Sequence, residues 1–197
     1  MAPPKAGLLI LLLSYPARLV LWALGWRIEG GVPDLPKYVL IIAPHTSRWD
    51  AIIWLAMVLS LRIPVRWFAK HTLFWPPFGW LLRALGGISI DRRQNENKVL
   101  RAVRALQEHD EMILGLAPEG TRSYRDSWRS GFYYIAVKAE VPIVMAYTDF
   151  TKKVGGIGGI LYPTGDEQVD MEKVRAIYDP VAAKNPEKKS IIMLEKE

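Results

Sequence analysis

The sequence predicts an α/β domain in which helices lie on both sides of a mostly parallel or mixed β-sheet. Short apolar runs typical of buried strands alternate along the chain with longer segments whose apolar residues recur at helical spacing. The 197 residues are enough for one sizeable core, and they contain no internal repeat or low-complexity linker. We therefore expect a single domain over residues 27–197, preceded by an apolar segment over residues 1–26.

The N-terminal segment has the composition of a membrane-associating helix. Residues 6–26 are apolar except for Arg18, and Pro16 lies near their middle. A spanning helix needs about 20 apolar residues, so the length is just sufficient. Because Pro16 and Arg18 interrupt the segment, a kinked, half-inserted or surface-lying helix fits at least as well as a straight span. A helix buried in the core and a cleaved signal peptide are the alternatives, although no clear small-residue cleavage site follows.

The net charge of +6 belongs to the N-terminal half of the chain. Residues 1–100 carry 12 Lys and Arg against 5 Asp and Glu, whereas residues 101–197 carry 14 against 15. Seven of the 8 Trp residues also lie in the first 80 positions, and Trp combined with basic residues is typical of a membrane–water boundary. No basic–aromatic module typical of an RNA or DNA reader is present, so we expect a membrane and not nucleic acid as the partner.

A predicted strand over residues 38–42 leads through a short loop into a helix predicted from Ser47 to about Ser60. Two helical residues five positions apart lie about 140° apart around the axis, so His45 can meet Asp50 only if it precedes the helix. With Ser47 as N-cap, the Asp50 carboxylate in the first turn leans back toward the loop. The stretch predicts a His–carboxylate pair; the alternative is a capping box beside an ordinary loop histidine.

An aromatic segment, residues 74–82, follows a short predicted strand over residues 65–69. That strand ends at Lys70, which from the residues alone is a solvated lysine at a strand end. The two prolines of the aromatic segment bias the residues before them away from helical geometry, so we expect a helix from near Pro77 to Gly86. The aromatic side chains fit either an ordinary core or a membrane-dipping wall.

The next predicted strand, residues 88–90, delivers Asp91, Arg92 and Arg93 into a loop. Arg92 is suited to phosphate because the planar guanidinium donates two parallel hydrogen bonds. An exposed Arg92 paired with an acid such as Asp91 is the alternative. An amphipathic covering helix is predicted over residues 95–109.

A predicted strand over residues 112–116 ends in a Pro-Glu-Gly-Thr-Arg turn, residues 118–122. Gly120 permits backbone conformations that expose N–H groups to an anion, and Thr121 and Arg122 add donors. On its own, this turn is weak evidence for an anion-binding site. Together with the His–carboxylate pair it predicts a phosphate or oxyanion site.

The remainder of the chain is predicted to hold two helices, a buried strand and a tail to which the sequence assigns no role. These are the helix 128–140, the strand 141–147, the helix 169–183 and the tail 184–197. The glycine-rich stretch 155–159 is predicted to be a turn between strands, because it lacks the spacing of a nucleotide-binding loop.

Four blocks of the sequence resemble the glycerolipid acyltransferase family. His45-x4-Asp50 and the Pro-Glu-Gly-Thr-Arg turn at 118–122 resemble its signature motifs. Gly-Ile-Ser-Ile-Asp-Arg at 87–92 and Val-Pro-Ile-Val at 141–144 resemble two more, and all four occur in the family order. The chain is therefore identified as similar to this family.

The resemblance covers about residues 38–148. The family usually has Asn or Asp where this chain has Pro44, and often an aromatic residue where it has Ser89 and Ala117. These departures leave the catalytic residue types in place.

The resemblance implies an acyltransferase-like α/β domain that moves a fatty acyl group from an acyl thioester to a lysophospholipid hydroxyl. Lysophosphatidic acid, 1-acyl-glycerol-3-phosphate, is the acceptor that fits the family best. With no Cys and no Gly-x-Ser-x-Gly elbow, the chain has no evident nucleophile for a covalent acyl-enzyme, so direct transfer is expected. We expect His45 to act as general base and Asp50 to orient it.

The substrate-binding residues that the resemblance and the turn imply are Lys70, Arg92, Glu119, Gly120, Thr121 and Arg122. Glu119 is expected to orient Arg122 or the acceptor. The resemblance places Lys70 near the active cleft, and it favours residues 74–82 as the wall of an acyl-chain groove. Acyl-CoA or acyl carrier protein would be a co-substrate, and no cofactor is expected.

Two other functions remain compatible with the sequence: an acyl-thioester hydrolase, and a non-catalytic membrane-surface protein that binds anionic lipid. A metal site is not expected, because the chain has 3 scattered His and no Cys. We expect the protein at the cytoplasmic face of the inner or cell membrane.

Overall fold

A computed structural model of the chain describes residues 4, 6–90 and 98–195, without the side chains of Ala69, Lys70 and Ile90. Arg92 therefore lies outside the described residues. The strands are β1 (Arg27–Glu29), β2 (Lys37–Ala43), β3 (Val65–Lys70), β4 (Gly87–Ile90), β5 (Met112–Leu116), β6 (Ile143–Asp149) and β7 (Val154–Leu161). The helices are α1 (Leu8–Ala23), α2 (Arg48–Ser60), α3 (Phe78–Ala84), α4 (Lys98–Glu108), α5 (Gly131–Ala139) and α6 (Glu167–Tyr178), with 3-10 turns at His71–Leu73 and Pro186–Lys188.

The strands form one sheet in the order β1-β7-β6-β2-β5-β3-β4. Every neighbouring pair is parallel except β6 with β7, which confirms the predicted mostly parallel α/β sheet. In a parallel sheet the strands end at a common edge, and ligands bind beyond that edge. The ends of β2, β3, β4 and β5 therefore lie on one side of the sheet, which we call the carboxyl edge.

The central strand β2 is buried on both faces, as its continuous apolar sequence requires. Val39 and Ile41 pack into a cluster with side chains of α4, α5 and α6. Leu40 and Ile42 face the other side, where they pack with Val58 of α2. Helices on both sides of the sheet thus fix the position of the β2 end, where the predicted histidine lies.

Helix α1 packs along α2. Its Ala17 and Leu21 lie against Ile53 and Met57 of α2, so one face of α1 belongs to the folded domain. Arg18 folds back and donates two hydrogen bonds, of 3.2 and 3.3 Å, to the carbonyl oxygen of Ser60 at the end of α2. Within the described ranges, no helix combines the length and the apolar composition that crossing a bilayer requires.

The glycine-rich stretch 155–159 is strand, not the predicted turn, since it lies within β7. A Cβ at Gly155 would come within 2.6 Å of the Tyr147 carbonyl oxygen and 2.7 Å of the Met57 sulfur. At Gly155 a glycine is therefore needed because β6 and α2 approach the β7 backbone closely. Met57, one of the residues that require a glycine here, is distant in the sequence, so the sequence pattern of the stretch itself does not reveal this requirement.

Two helices begin or end at residues other than the predicted ones. Helix α5 begins at Gly131 and not at residue 128, because the Trp128 backbone pairs with the C-terminal tail beside Leu194. Helix α6 ends at Tyr178 and not at residue 183, which is consistent with Pro180 two residues later.

The aromatic segment after β3 is largely exposed, so the ordinary-core interpretation of its side chains is wrong. Helix α3 occupies its second half, with Pro77 at the N-cap as predicted. Phe74 is buried, but the surface carries exposed Leu73, Trp75, Phe78, Trp80 and Leu81.

Candidate active site

The loop between β2 and α2 places His45 directly before the helix, as the sequence predicts. Ser47 is the N-cap of α2, and its Oγ accepts a hydrogen bond of 3.3 Å from the Asp50 N–H. In return, Asp50 Oδ2 accepts a hydrogen bond of 2.6 Å from the Ser47 N–H. This capping box fixes the carboxylate at the start of α2, facing the loop.

The same carboxylate also faces the imidazole of His45. The distance from His45 Nδ1 to Asp50 Oδ2 is 3.6 Å, and the two side chains are 25% and 3% exposed. The capping box and the His–carboxylate pair therefore coexist, although the sequence presented them as alternatives. A carboxylate beside Nδ1 leaves Nε2 as the ring nitrogen for proton transfer.

Asp50 is held in its ionised form. Burial opposes ionisation, but hydrogen bonds from His45, from Ser47 and from the Thr46 N–H more than offset it, so the pKa of Asp50 lies below its usual value. An ionised carboxylate at this position stabilises an imidazolium better than a neutral acid would.

Glu119 contacts the main chain of the loop that carries His45. Its side chain is 3% exposed, and Oε1 accepts a hydrogen bond of 2.8 Å from the His45 main-chain N–H. Burial raises the pKa of Glu119 to about 7, against the opposing effect of hydrogen bonds from its own N–H and that of His45. Oε2 has no hydrogen-bond partner among the described residues. Arg122 is exposed, and the described residues include no ion pair between it and Glu119, so the expectation that Glu119 orients Arg122 or the acceptor stays a prediction.

The turn after β5 adopts the backbone that the sequence predicts at Gly120, with a φ of 65°. The Gly120 N–H, however, donates a hydrogen bond of 3.1 Å to the Ala117 carbonyl, so this donor is already engaged. Thr121 Oγ1 accepts a hydrogen bond of 3.3 Å from the Ser123 N–H. Within the described ranges, no hydrogen bond connects Thr121 or Arg122 to the His45 loop.

Lys70 is the last residue of β3, paired in register with Ile90 at the end of β4. The ends of β3 and β4 therefore lie at the carboxyl edge, where His45 also lies. The Lys70 side chain, like Arg92, is outside the described residues.

A largely apolar cavity of about 220 Å³ opens beside the His45–Asp50 pair. It lies between α2 and the ends of β3 and β5, and it is lined by Ile42, His45, Asp50, Ala51, Trp54, Trp67, Phe68, Gly115, Leu116 and Ala117. The predicted groove wall, residues 74–82, contributes none of these residues. Sequence reasoning missed Trp54, Trp67 and Phe68 because their periodicity is that of ordinary core.

Comparisons with known proteins identify the family of the chain. A sequence model of the Acyltransferase family matches residues 31–148, which is more than half of the chain. The 1-acyl-sn-glycerol-3-phosphate acyltransferase beta of Homo sapiens is 31% identical over 119 residues. That alignment covers 57% of this chain and 42% of the human protein, so the chain spans less than half the length of that relative.

The fold is shared with a solved structure, the crystal structure of the 1-acyl-sn-glycerophosphate acyltransferase PlsC from Thermotoga maritima. The TM-score is 0.63 and the sequence identity 18%, over 86% of this chain and 77% of the other. The matched family span contains both motifs that meet at the carboxyl edge, His45-x4-Asp50 and residues 118–122. The chain therefore belongs to the acyltransferase family.

Proposed function

We propose that this protein transfers a fatty acyl group from an acyl thioester to the free hydroxyl of a lysophospholipid, with 1-acyl-glycerol-3-phosphate as the acceptor. The observation that carries the proposal is the His45–Asp50 pair in the wall of an apolar cavity. Acyl transfer needs a base for the acceptor hydroxyl and an apolar surface for the acyl chain, and the two adjoin here. The names of the human relative and of the bacterial structure specify the same acceptor class.

In the proposed reaction His45 Nε2 takes the proton of the acceptor hydroxyl as its oxygen attacks the thioester carbonyl carbon. A carbon–oxygen bond forms, the carbon–sulfur bond breaks, and the imidazolium returns the proton to the departing thiolate. The products are an ester and a free thiol. Asp50 stabilises the imidazolium between these steps, and the 3.6 Å separation to Nδ1 can shorten once the ring is charged.

The acyl chain is proposed to lie in the cavity beside His45. Trp54 of α2, Phe68 of β3 and Leu116 of β5 supply apolar walls on three elements. A chain seated there would leave its thioester near the imidazole, and the dry surroundings would strengthen the charge interactions of the transition state.

The acceptor phosphate is proposed to bind at the carboxyl edge. Lys70 ends β3, Arg92 follows the adjacent parallel strand β4 in the sequence, and the turn with Thr121 and Arg122 follows β5. Three neighbouring loops would thus direct cations and hydroxyl donors toward the same side of the sheet as His45.

The protein is further proposed to bind the cytoplasmic face of the inner or cell membrane. The outward face of α1 carries exposed apolar side chains at alternating spacings of four and three residues: Leu8, Leu12, Tyr15, Leu19 and Trp22. Trp22 is 76% exposed and Trp80, after β3, is 69% exposed. Trp side chains are enriched where a protein meets the membrane–water boundary, and an apolar helix face suits insertion parallel to that surface.

An assay with radiolabelled acyl-CoA, with and without lysophosphatidic acid, tests the proposal. Label appearing in phosphatidic acid only when the acceptor is present supports transfer. Acceptor-independent release of fatty acid would instead indicate a hydrolase, and binding to lipid with no turnover would indicate a non-catalytic membrane protein. Repeating the assay with acyl carrier protein as donor separates the two thioesters, and His109→Ala, at an exposed histidine beyond α4, is the control for His45→Ala.

A further inference from the structure

The last described residues return to the candidate site, although they lie outside the span matched by the family model, residues 31–148. We call residues 184–195 the C-terminal strap. Its Ile192 and Leu194 are buried in the main core cluster with Trp128. The strap is therefore an integral part of the fold, in a region where sequence similarity assigns no function.

One end of the strap holds the loop that carries His45. The Asn185 side-chain Nδ2 donates a hydrogen bond of 2.9 Å to the Thr46 carbonyl oxygen. The Asn185 main-chain N–H donates a second hydrogen bond, of 3.2 Å, to Thr46 Oγ1. Thr46 is itself buried, and its N–H donates to Asp50 Oδ2. The residue after His45 is thus held by the strap and by the orienting carboxylate together.

The other end of the strap holds the segment that follows the Glu119 turn. The Ile191 N–H donates a hydrogen bond of 3.1 Å to the Arg125 carbonyl, and the Arg125 N–H donates one of 3.2 Å to Ser190 Oγ. Glu195 forms ion pairs of 3.3 Å with Arg125 and 2.9 Å with Arg129. The strap therefore joins the two loops whose meeting forms the candidate site.

The middle of the strap is tied to the end of α6. Lys189 Nζ donates hydrogen bonds of 2.9 Å to the carbonyl oxygens of Tyr178, Asp179 and Val181. Three bonds from one ammonium group fix the strap at this point, to the last residue of α6 and to two residues that follow it. Asn185 therefore projects toward Thr46 from an anchored backbone.

We propose that Asn185 is a positioning residue for acyl transfer: the strap holds the Thr46 backbone so that His45 keeps its alignment with Asp50. This inference rests on the proposed function. Asn185 does not line the cavity, so its loss should leave substrate binding intact and lower the rate of the chemical step. A residue that serves only to stabilise the fold would lower the melting temperature and leave kcat unchanged.

The test uses the purified full chain in lipid nanodiscs, with kcat, both KM values and the melting temperature measured for each variant. Asn185→Ala removes the bond to the Thr46 carbonyl, Thr46→Val removes the bond to the hydroxyl, and Thr46→Ser retains it. We expect kcat to fall roughly 3- to 10-fold in the first two, as for loss of one neutral hydrogen bond, with both KM values unchanged and Thr46→Ser near wild type. Glu187→Ala, at an exposed position in the same strap, is the matched control.

Unchanged kcat in Asn185→Ala, or an effect confined to KM, would overturn the proposal. If Asn185→Ala does not fold, the contrast between Thr46→Val and Thr46→Ser decides the question. The 15N NMR spectrum of the histidine rings gives a readout that needs no turnover, and the chain has only 3 His to assign. A shift in the His45 tautomer population in Asn185→Ala supports positioning, and an unaltered spectrum opposes it, even if the wild-type protein proves to transfer no acyl group and the proposed function fails.

Discussion

The main-chain N–H of His45 donates a hydrogen bond of 2.8 Å to Oε1 of Glu119, 74 positions further along the chain. This bond connects the two motifs that carry the family resemblance. The Glu119 carboxylate in the turn thus contacts the His45 backbone, and the described residues include no ion pair between Glu119 and Arg122. A buried acid therefore contacts the main chain of the proposed base.

The first prediction concerns the pH dependence of stability. Burial raises the pKa of Glu119 from 4.5 to about 7, so between these pH values the folded state holds a proton that the unfolded state releases. This contribution to stability is fully present below about pH 4.5 and is lost as the pH rises through about 7; it is on the order of 3 kcal/mol. Glu119→Gln keeps the acceptor for the His45 N–H but cannot ionise.

Chemical denaturation from pH 4.5 to 8 measures this effect as the difference between wild type and Glu119→Gln. The free energy of unfolding of the variant, relative to that of the wild type, should rise between about pH 4.5 and 7 and level off above about pH 7. Groups that titrate equally in both proteins cancel in the difference. Two parallel stability curves would show that Glu119 ionises in the folded protein as freely as in the unfolded one.

The second prediction concerns the proposed base. His45→Ala should lower kcat by about two to four decades, because it removes both the proton acceptor and the proton donor to the leaving thiolate. Asp50→Asn should also be severe, since an amide cannot stabilise the imidazolium as a carboxylate does. Initial rates of phosphatidic acid formation, with circular dichroism to verify folding, provide the measurement. Wild-type turnover in folded His45→Ala would make the His–Asp mechanism wrong.

The third prediction assigns the acceptor phosphate to Arg92 and Arg122. Loss of a charged hydrogen bond costs roughly 1.5 to 3 kcal/mol, so each Ala variant should raise the KM for lysophosphatidic acid by about one to two decades. The Lys variants should recover only part of this loss, because lysine lacks the bidentate fork. Arg104→Ala, at an exposed arginine of α4, is the control. A raised KM for the acyl donor instead would assign these arginines to the donor's phosphates.

The fourth prediction concerns the cavity. Ala51 lines it from the first turn of α2 and is itself exposed, so Ala51→Phe should reduce the cavity without disturbing the core. The KM should rise for long-chain acyl-CoA and change less for shorter chains, whose fewer methylenes need less apolar surface. A series of acyl-CoA donors measures this, with Ala84→Phe in α3 as control. An unaltered chain-length preference would place the acyl chain elsewhere.

The fifth prediction concerns the membrane. Deleting residues 1–26 should move the protein toward the soluble fraction, but that deletion also uncovers the α2 face on which α1 packs. A sharper variant replaces outward-facing Leu12, Leu19 and Trp22 with Glu, which leaves the packed face intact. Co-sedimentation with anionic vesicles should fall strongly. Tyr162→Glu with Val169→Glu, at exposed apolar positions remote in sequence, is the control, and equal losses in both proteins would mean that α1 is not the docking surface.

Local patterns predicted the elements whose determinants are local. Strand β5 has the predicted bounds of residues 112 and 116, and α2 starts where Ser47 and Asp50 form a capping box. N-caps and apolar periodicity act over a few residues, so they are visible in one sequence. The position of His45 before α2 followed from helix geometry alone.

Features that depend on distant partners were missed or misread. Gly155 of β7 is required by the neighbouring Tyr147 carbonyl and Met57, and Trp128 leaves the predicted helix because it pairs with the tail. The carboxylate of Glu119 contacts a backbone N–H, which no side-chain pattern reveals. Asn185 carries no signal in a single sequence that connects it with Thr46.

The contact between Arg18 and the Ser60 carbonyl bears on whether the N-terminal helix could bind lipid when attached to another protein. The guanidinium that interrupts the apolar segment is matched by the end of α2, and the small side chains beside it fit the surface of that helix. Grafted onto an unrelated protein as a lipid tag, residues 1–26 would carry a guanidinium without these hydrogen bonds and an uncovered second face. The proposed anchor therefore depends on α2 to cover its packed face, and residues 1–26 are not expected to work as an independent lipid tag.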